Sequence, residues 1–166
     1  MNQEDTLVLD VRSNYEHHLG KFKNAITLDI DNFYDLPEAL KTHPLYLNPQ
    51  NKSKKILTYC TGGVKCETAS SYLQKLGFQN VYQLKGGIIN YGHQMKGVDF
   101  QGSCYVFDGR ITAHVNEVNP VVISKCWFCN HDCDVAVNCR NSSCDRRMTS
   151  CQPCFQIHQG CCSLKC

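Results

Sequence analysis

The sequence predicts an α/β fold, an open parallel sheet with helices on both faces, followed by a small cysteine-rich segment. Three observations carry this. Short Val, Ile and Leu runs recur along the amino-terminal half with helix-compatible stretches between them, the alternation expected of strand–helix–strand units. A glycine pair closely follows two of the runs, at Gly62-Gly63 and Gly86-Gly87. Ten of the 13 cysteines lie beyond Lys125, where apolar periodicity stops.

Taken in order, residues 6–11 form a β-branched and leucine run with polar flanks, the pattern of a buried parallel strand. Residues 25–30 repeat it. Between 32 and 47, Pro37 and Pro44 break the chain into one or two short helices. Residues 55–59 are a third strand that runs into Gly62-Gly63, and residues 67–76 read as an amphipathic helix stopped by Gly77. Residues 81–84 give a fourth strand and 88–95 a helix. The stretch 98–124 reads as a connector, with an added strand at 104–107, a turn at Asp108-Gly109 and extended chain at 113–115. The expected domains are 1–97 for the α/β unit, 98–124 for the connector and 125–166 for the cysteine-rich segment. Trp127, Phe128, Met148, Phe155 and Ile157 are too few for an independent core there.

Composition bounds the function. Hydrophobic residues make up 42% and charged residues 19%, and no apolar run reaches the roughly 18 residues of a membrane helix. The acidic start Met1-Asn2-Gln3-Glu4-Asp5 lacks the zones of a signal peptide. The expectation is a cytoplasmic protein with no membrane partner, in which dense cysteine points to metal before disulfides. A formal charge of +2 gives no general argument for nucleic acid. Lys125, Arg140, Arg146 and Arg147 interleave with Trp127 and Phe128, a set compatible with single-stranded RNA that reads first as ordinary surface charge.

The chemistry centres on Cys60-Thr61-Gly62-Gly63-Val64-Lys65. Sites in open parallel sheets sit at the carboxyl ends of strands, and Cys60 directly follows one. Gly62 and Gly63 permit the angles that turn successive amides inward, and a helix begins just beyond, so Thr61 to Lys65 form an anion cradle. Lys65 adds positive charge. Such a setting stabilises a thiolate, and equally a persulfide, which is also an anion. Cys66 either packs on the helix or resolves a disulfide with Cys60, with packing preferred.

Asp10-Val11-Arg12 with Tyr15-Glu16, Gly20 to Ala25, Cys-Thr-Gly-Gly-Val-Lys-Cys-Glu at 60–67, Gly77-Phe78 and Val81 to Ile88 together resemble the rhodanese domain. The 60–67 motif is, more narrowly, similar to the oxygen-dependent tRNA uridine 5-hydroxylases, which install 5-hydroxyuridine at the wobble position. Val106-Phe107-Asp108 and Gly160-Cys161-Cys162-Ser163 resemble the same family. The resemblance implies a rhodanese-like sheet, Cys60 as catalytic cysteine, and Asp10 and Arg12 as supporting acid and base, which equally read as a structural ion pair. Lys65 stands where the family mostly has arginine, and Lys21 where rhodaneses usually have histidine. The family's first edge strand and the hydroxylases' amino-terminal domain have no counterpart in this sequence.

Cys126-x2-Cys129 and Cys151-x2-Cys154 are knuckles of the kind that pair in four-cysteine zinc sites. With Cys133, Cys139, Cys144, Cys161, Cys162 and Cys166 they make ten candidate ligands, enough for two zinc ions. His131 and His158 lie in polar stretches and are left out. No organic cofactor is evident. The sequence therefore predicts a rhodanese-type enzyme with a Cys60 covalent intermediate that serves tRNA wobble-uridine modification, with a small sulfur donor or thiol acceptor and tRNA as partners. The alternative is a catalytically silent, zinc-stabilised module that binds RNA or protein. A cysteine phosphatase or arsenate reductase needs a longer loop ending in arginine, whose fork grips an oxyanion.

Overall fold

The computed structural model describes residues 6–166; the acidic stretch 1–5 lies outside the described residues. Four parallel strands form the central sheet in the order β3-β1-β4-β5: Thr6–Asp10 (β1), Ile26–Thr27 (β3), Lys55–Tyr59 (β4) and Asn80–Gln83 (β5). The register sets Thr6 opposite Lys55 and Asp10 opposite Tyr59. Because side chains alternate across a strand, β1 and β4 feed two separate cores. Leu9 and Ile56 face one, packed by Leu36 and Leu40 of α2 (Leu36–Thr42), Leu45 of α3 (Pro44–Leu47) and Ala69 and Leu73 of α4 (Val64–Lys75). Val8 and Tyr59 face the other, with Ile88 of α5 (Gly87–Met95) and with Phe22, Phe100 and Cys104.

That second core differs from the sequence reading. Phe22 lies on β2 (Gly20–Phe22), which pairs antiparallel with β6 (Phe100–Tyr105), and β6 pairs in turn with β7 (Thr112–His114). The stretch read as a connector thus carries a sheet that closes one face of the domain. Its apolar residues are interleaved with Gln101, Gly102 and Ser103, so the strand pattern shows only from Cys104 onward. One short helix also escaped the periodicity, α1 (Asn14–Leu19). Its signal was a capping box: the Ser13 N–H donates to Glu16 Oε2 at 3.1 Å and the Ser13 side chain accepts from the Glu16 backbone.

The carboxyl-terminal segment contains a two-stranded antiparallel ribbon, β8 (Ala136–Asn138) with β9 (Arg147–Thr149), and one short helix, α6 (Gln152–Ile157). Ser103 Oγ donates to Asp134 Oδ2 at 2.9 Å, tying it to β6. No helix among the described residues is long and apolar enough to cross a membrane.

Candidate active site

Cys60 sits at the carboxyl end of β4, where the chain turns into α4. The turn depends on Gly63, whose φ of +96° is open to glycine at little cost. This geometry aims the Gly63 N–H at Cys60 Sγ, 3.1 Å away. The amides of Lys65 and Cys66, next along the chain at the start of α4, add to the influence on the sulfur. From the opposite side the first amides of α5 hold the loop's carbonyls, Ile88 N–H to Cys60 O at 3.0 Å and Ile89 N–H to Thr61 O at 3.2 Å. Gly87 is needed at that crossing, because a Cβ would overlap both carbonyl oxygens.

Hydrogen bonding to a thiolate favours the charged form, and burial opposes it. Here the Cys66 S–H is the strongest influence and the three amides add to it, so Cys60 is brought down to about 6 against the cost of burial. Cys66 is pushed the other way by its donation to Cys60 and by burial, and stays a thiol. It is fully buried on the first turn of α4, so packing and hydrogen bonding coincide. Lys65, expected to add positive charge beside the sulfur, pairs its ammonium with the buried Glu16 carboxylate at 2.5 Å. The amides and a neighbouring thiol therefore act on the sulfur in place of a free cation.

Beneath the loop, Asp10 and Arg12 are wholly buried and paired at 2.6 Å. Asp10 also accepts from Tyr59 Oη at 2.6 Å, and Arg12 donates to Gly20 O at 2.7 Å. Burial disfavours the Arg12 charge, but Asp10 outweighs it. Neither group meets solvent, so the pair braces β1 against β2 and β4. Glu16 bridges to the loop, accepting from Thr61 Oγ1 at 3.4 Å as well as from Lys65. The structure thus gathers Cys60, Thr61, Gly63, Lys65 and Cys66 in one loop, while Gly62 and Val64 form its exposed rim.

The family model for the rhodanese-like domain matches residues 1–94, more than half of the chain, and the model for the rhodanese carboxyl-terminal region matches 101–166. The chain belongs to the rhodanese-like family. It is 53% identical over 165 residues to a protein of Cytophaga hutchinsonii, 46% over 150 to one of Bacillus velezensis and 42% over 168 to one of Onion yellows phytoplasma. Each of these is named tRNA uridine(34) hydroxylase. The matches cover 99%, 89% and 100% of this chain but 51%, 45% and 53% of the relatives, so the chain spans about half their length.

In the rhodanese carboxyl-terminal region the cysteines gather into two groups of four. Cys126, Cys129, Cys151 and Cys154 bring their sulfurs within 4.8 Å of one another, and so do Cys139, Cys144, Cys162 and Cys166. Tetrahedral thiolates at about 2.3 Å from one ion stand about 3.8 Å apart. The observed pairs match: Cys129–Cys151 at 3.7 Å, Cys144–Cys162 at 3.6 Å and Cys162–Cys166 at 3.5 Å. Backbone amides support each group as outer partners do around bound metals, Cys151 N–H to Cys126 Sγ and Cys162 N–H to Cys139 Sγ, both at 3.4 Å. Both groups can hold a metal ion.

Two residues of the ten-cysteine ligand set fall outside these groups. Cys133 is buried beside Ser124, which donates to its carbonyl at 2.6 Å, and Cys161 packs on the cluster of Cys139, Met148 and Cys162. Their neighbours Cys126 and Cys162 already fill the fourfold shells. His158 stacks on Phe128 at 3.7 Å. Sequence reasoning missed Glu16, Gly87 and Tyr105, whose carbonyl accepts from Thr61 Oγ1 at 3.2 Å, as parts of the active loop, since each reaches it only through tertiary contact. The signals present were Tyr15-Glu16 and Gly86-Gly87, visible as motif residues without an assigned role.

Proposed function

We propose that this chain is the thiol-bearing part of a tRNA wobble-uridine hydroxylase, in which Cys60 reacts as a thiolate through a persulfide or related covalent intermediate during 5-hydroxyuridine formation. The observation that best supports this is the place of Cys60 at the carboxyl end of β4, with the Gly63 N–H aimed at its sulfur from 3.1 Å. A thiol brought to about 6 is largely thiolate at neutral pH. The relatives' shared name supplies the substrate class.

In this reading Cys60 is the nucleophile, and the backbone of Thr61, Gly62, Gly63, Val64 and Lys65 is the cradle that holds its anionic forms. Cys66 is a hydrogen-bond donor to that sulfur. Asp10 and Arg12 are positioning residues that fix the strands on which the loop stands. The rhodanese-like domain is read as 1–97 and the cysteine-rich segment as 125–166, with 98–124 between them packing β6 and β7 back onto the domain. Zinc is the metal suited to two closed four-thiolate sites, Cys126/Cys129/Cys151/Cys154 and Cys139/Cys144/Cys162/Cys166, and its role there is to fold the segment. The cytoplasm, where tRNA meets reduced thiols, is the fitting compartment, and a small sulfur donor or thiol acceptor is the second partner.

The test combines peptide mass and nucleoside analysis. Protein isolated without reductant is expected to carry added sulfur of about 32 Da, or a nucleobase adduct, on the Cys60 peptide. In cells whose 5-hydroxyuridine depends on this protein, Cys60→Ser is expected to abolish the modification. Normal 5-hydroxyuridine with Cys60→Ser would refute the proposal.

A further inference from the structure

Beside the cysteine loop the structure assembles aromatic rings and cations from three distant parts of the chain. Lys65 Nζ lies 5.4 Å from the centre of the Phe107 ring, and Phe107 packs edge-on against Tyr105 at 5.3 Å. Tyr105 in turn meets Tyr15 edge-on at 4.9 Å. The Arg147 guanidinium covers Tyr15 at 4.7 Å. Tyr15, Tyr105, Arg147 and Trp127 line one depression, and Arg146 lies over Trp127 at 5.4 Å. The result is a track of ring and cation contacts from Lys65 to Arg147, continued across one depression to Trp127 and Arg146 of the cysteine-rich segment.

Its energetics are unusual for a protein surface. Phe107 is 62% and Trp127 54% exposed, although either ring would gain from burial. Arg146 and Arg147 are exposed and have no carboxylate partner among the described residues. The nearby acids are engaged: Glu16 with Lys65, Asp108 with Arg110, Asp145 with Asn138 and Asp134 with Ser103. Alternating stacking faces and unpaired cations are the means by which proteins hold single-stranded nucleic acid, the rings taking bases and the cations phosphates. Arg147 on β9 and Trp127 beside a four-cysteine group are held in place by the segment that those groups fold.

We propose that this track is the binding surface for the single-stranded RNA that flanks the reacting uridine, with Phe107 and Trp127 stacking on bases and Arg146 and Arg147 meeting phosphates. The inference rests on the tRNA reading of the site and adds to it the residues that hold the strand. It also gives the cysteine-rich segment a part in substrate binding beyond its own folding.

Trp127 is the only tryptophan in the chain, so its fluorescence reports directly. Titration of the full chain with a uridine-rich single-stranded oligonucleotide is expected to quench that emission. Arg146→Glu/Arg147→Glu and, separately, Phe107→Ala are each expected to weaken binding on the order of tenfold. Both sets of positions are exposed, and unchanged melting and unchanged Cys60 alkylation would show that the fold and loop are intact. Binding without quenching, or an affinity in both variants unchanged from that of the parent chain, would overturn the proposal, as would preference for an acidic peptide over the oligonucleotide. Cys60→Ser is expected to bind the oligonucleotide normally while losing the modification. Variants that bind normally, alongside a Cys60→Ser that makes no 5-hydroxyuridine, would sink the track and leave the hydroxylase reading standing.

Discussion

Around the parallel sheet, Leu9, Leu40, Ile56 and Leu73 are fully withdrawn from water, whereas the apolar cluster of the carboxyl-terminal segment is built on Met148, Cys139 and Cys162. The first region has the burial that ordinarily balances chain entropy. The second has a three-residue ribbon pair, a six-residue helix and eight cysteines drawn into two fourfold groups. On the proposed metal reading, two stabilising mechanisms sit in one chain, and conditions that remove one should spare the other. The same contrast runs through the cysteines: Cys60 and Cys66 shift each other's titration in opposite directions, while eight distal cysteines lie in two groups that can hold a metal ion.

The sharpest way to break this comparison is metal removal. Displacement of bound metal followed by chelation is expected to abolish hydrogen-exchange protection in β8 and β9 while β1 and β4 keep theirs. The free energy at stake is about 10–16 kcal/mol for a structural zinc at neutral pH. Loss of protection in both regions together would show that the core leans on the segment. A smaller effect, confined to the core, is expected from Asp10→Ala, which strands the buried Arg12 charge and should cost about 3–5 kcal/mol in denaturant unfolding. Replacing both partners with apolar residues should recover much of that loss.

The smallest expected effect concerns reactivity. The Cys60 thiolate fraction rises with pH through about 6, so alkylation should follow a midpoint there and level off above it. Cys66→Ala removes the strongest influence on that thiol and should move the midpoint to higher pH. A shift of one unit lowers the rate at pH 6 several-fold. Lys65→Ala should move it less, because its ammonium is engaged with Glu16. A larger shift from Lys65→Ala would restore the lysine to the role the sequence suggested.

Much of this was legible beforehand, for identifiable reasons. The strands at 6–10 and 55–59 announce themselves as runs buried on both faces, and α5 through apolar spacing that begins just after Gly86-Gly87. Helix α4 begins at Val64, three residues before the periodicity suggests, because Gly63 lets the loop pass directly into helical turns. Strand β2 was invisible, since a run of three residues carries no period, and β7 was read only as extended chain at 113–115. The paired knuckles at 126–129 and 151–154 were legible because two residues between cysteines fit one ion. The second group was not, since it joins Cys139 and Cys144 to Cys162 and Cys166 across the ribbon and α6.

By itself, then, the sequence determined the α/β class, the cysteine at the head of the glycine loop and the glycines that loop requires, because these depend on local backbone geometry and nearest-neighbour chemistry. Only the tertiary structure decided what acts on that cysteine. It turned Lys65 toward Glu16, set Cys66 against Cys60, drew eight cysteines into two groups and laid Arg147 over Tyr15 and Arg146 over Trp127. Those outcomes depend on distances between residues far apart in the chain, which packing alone fixes.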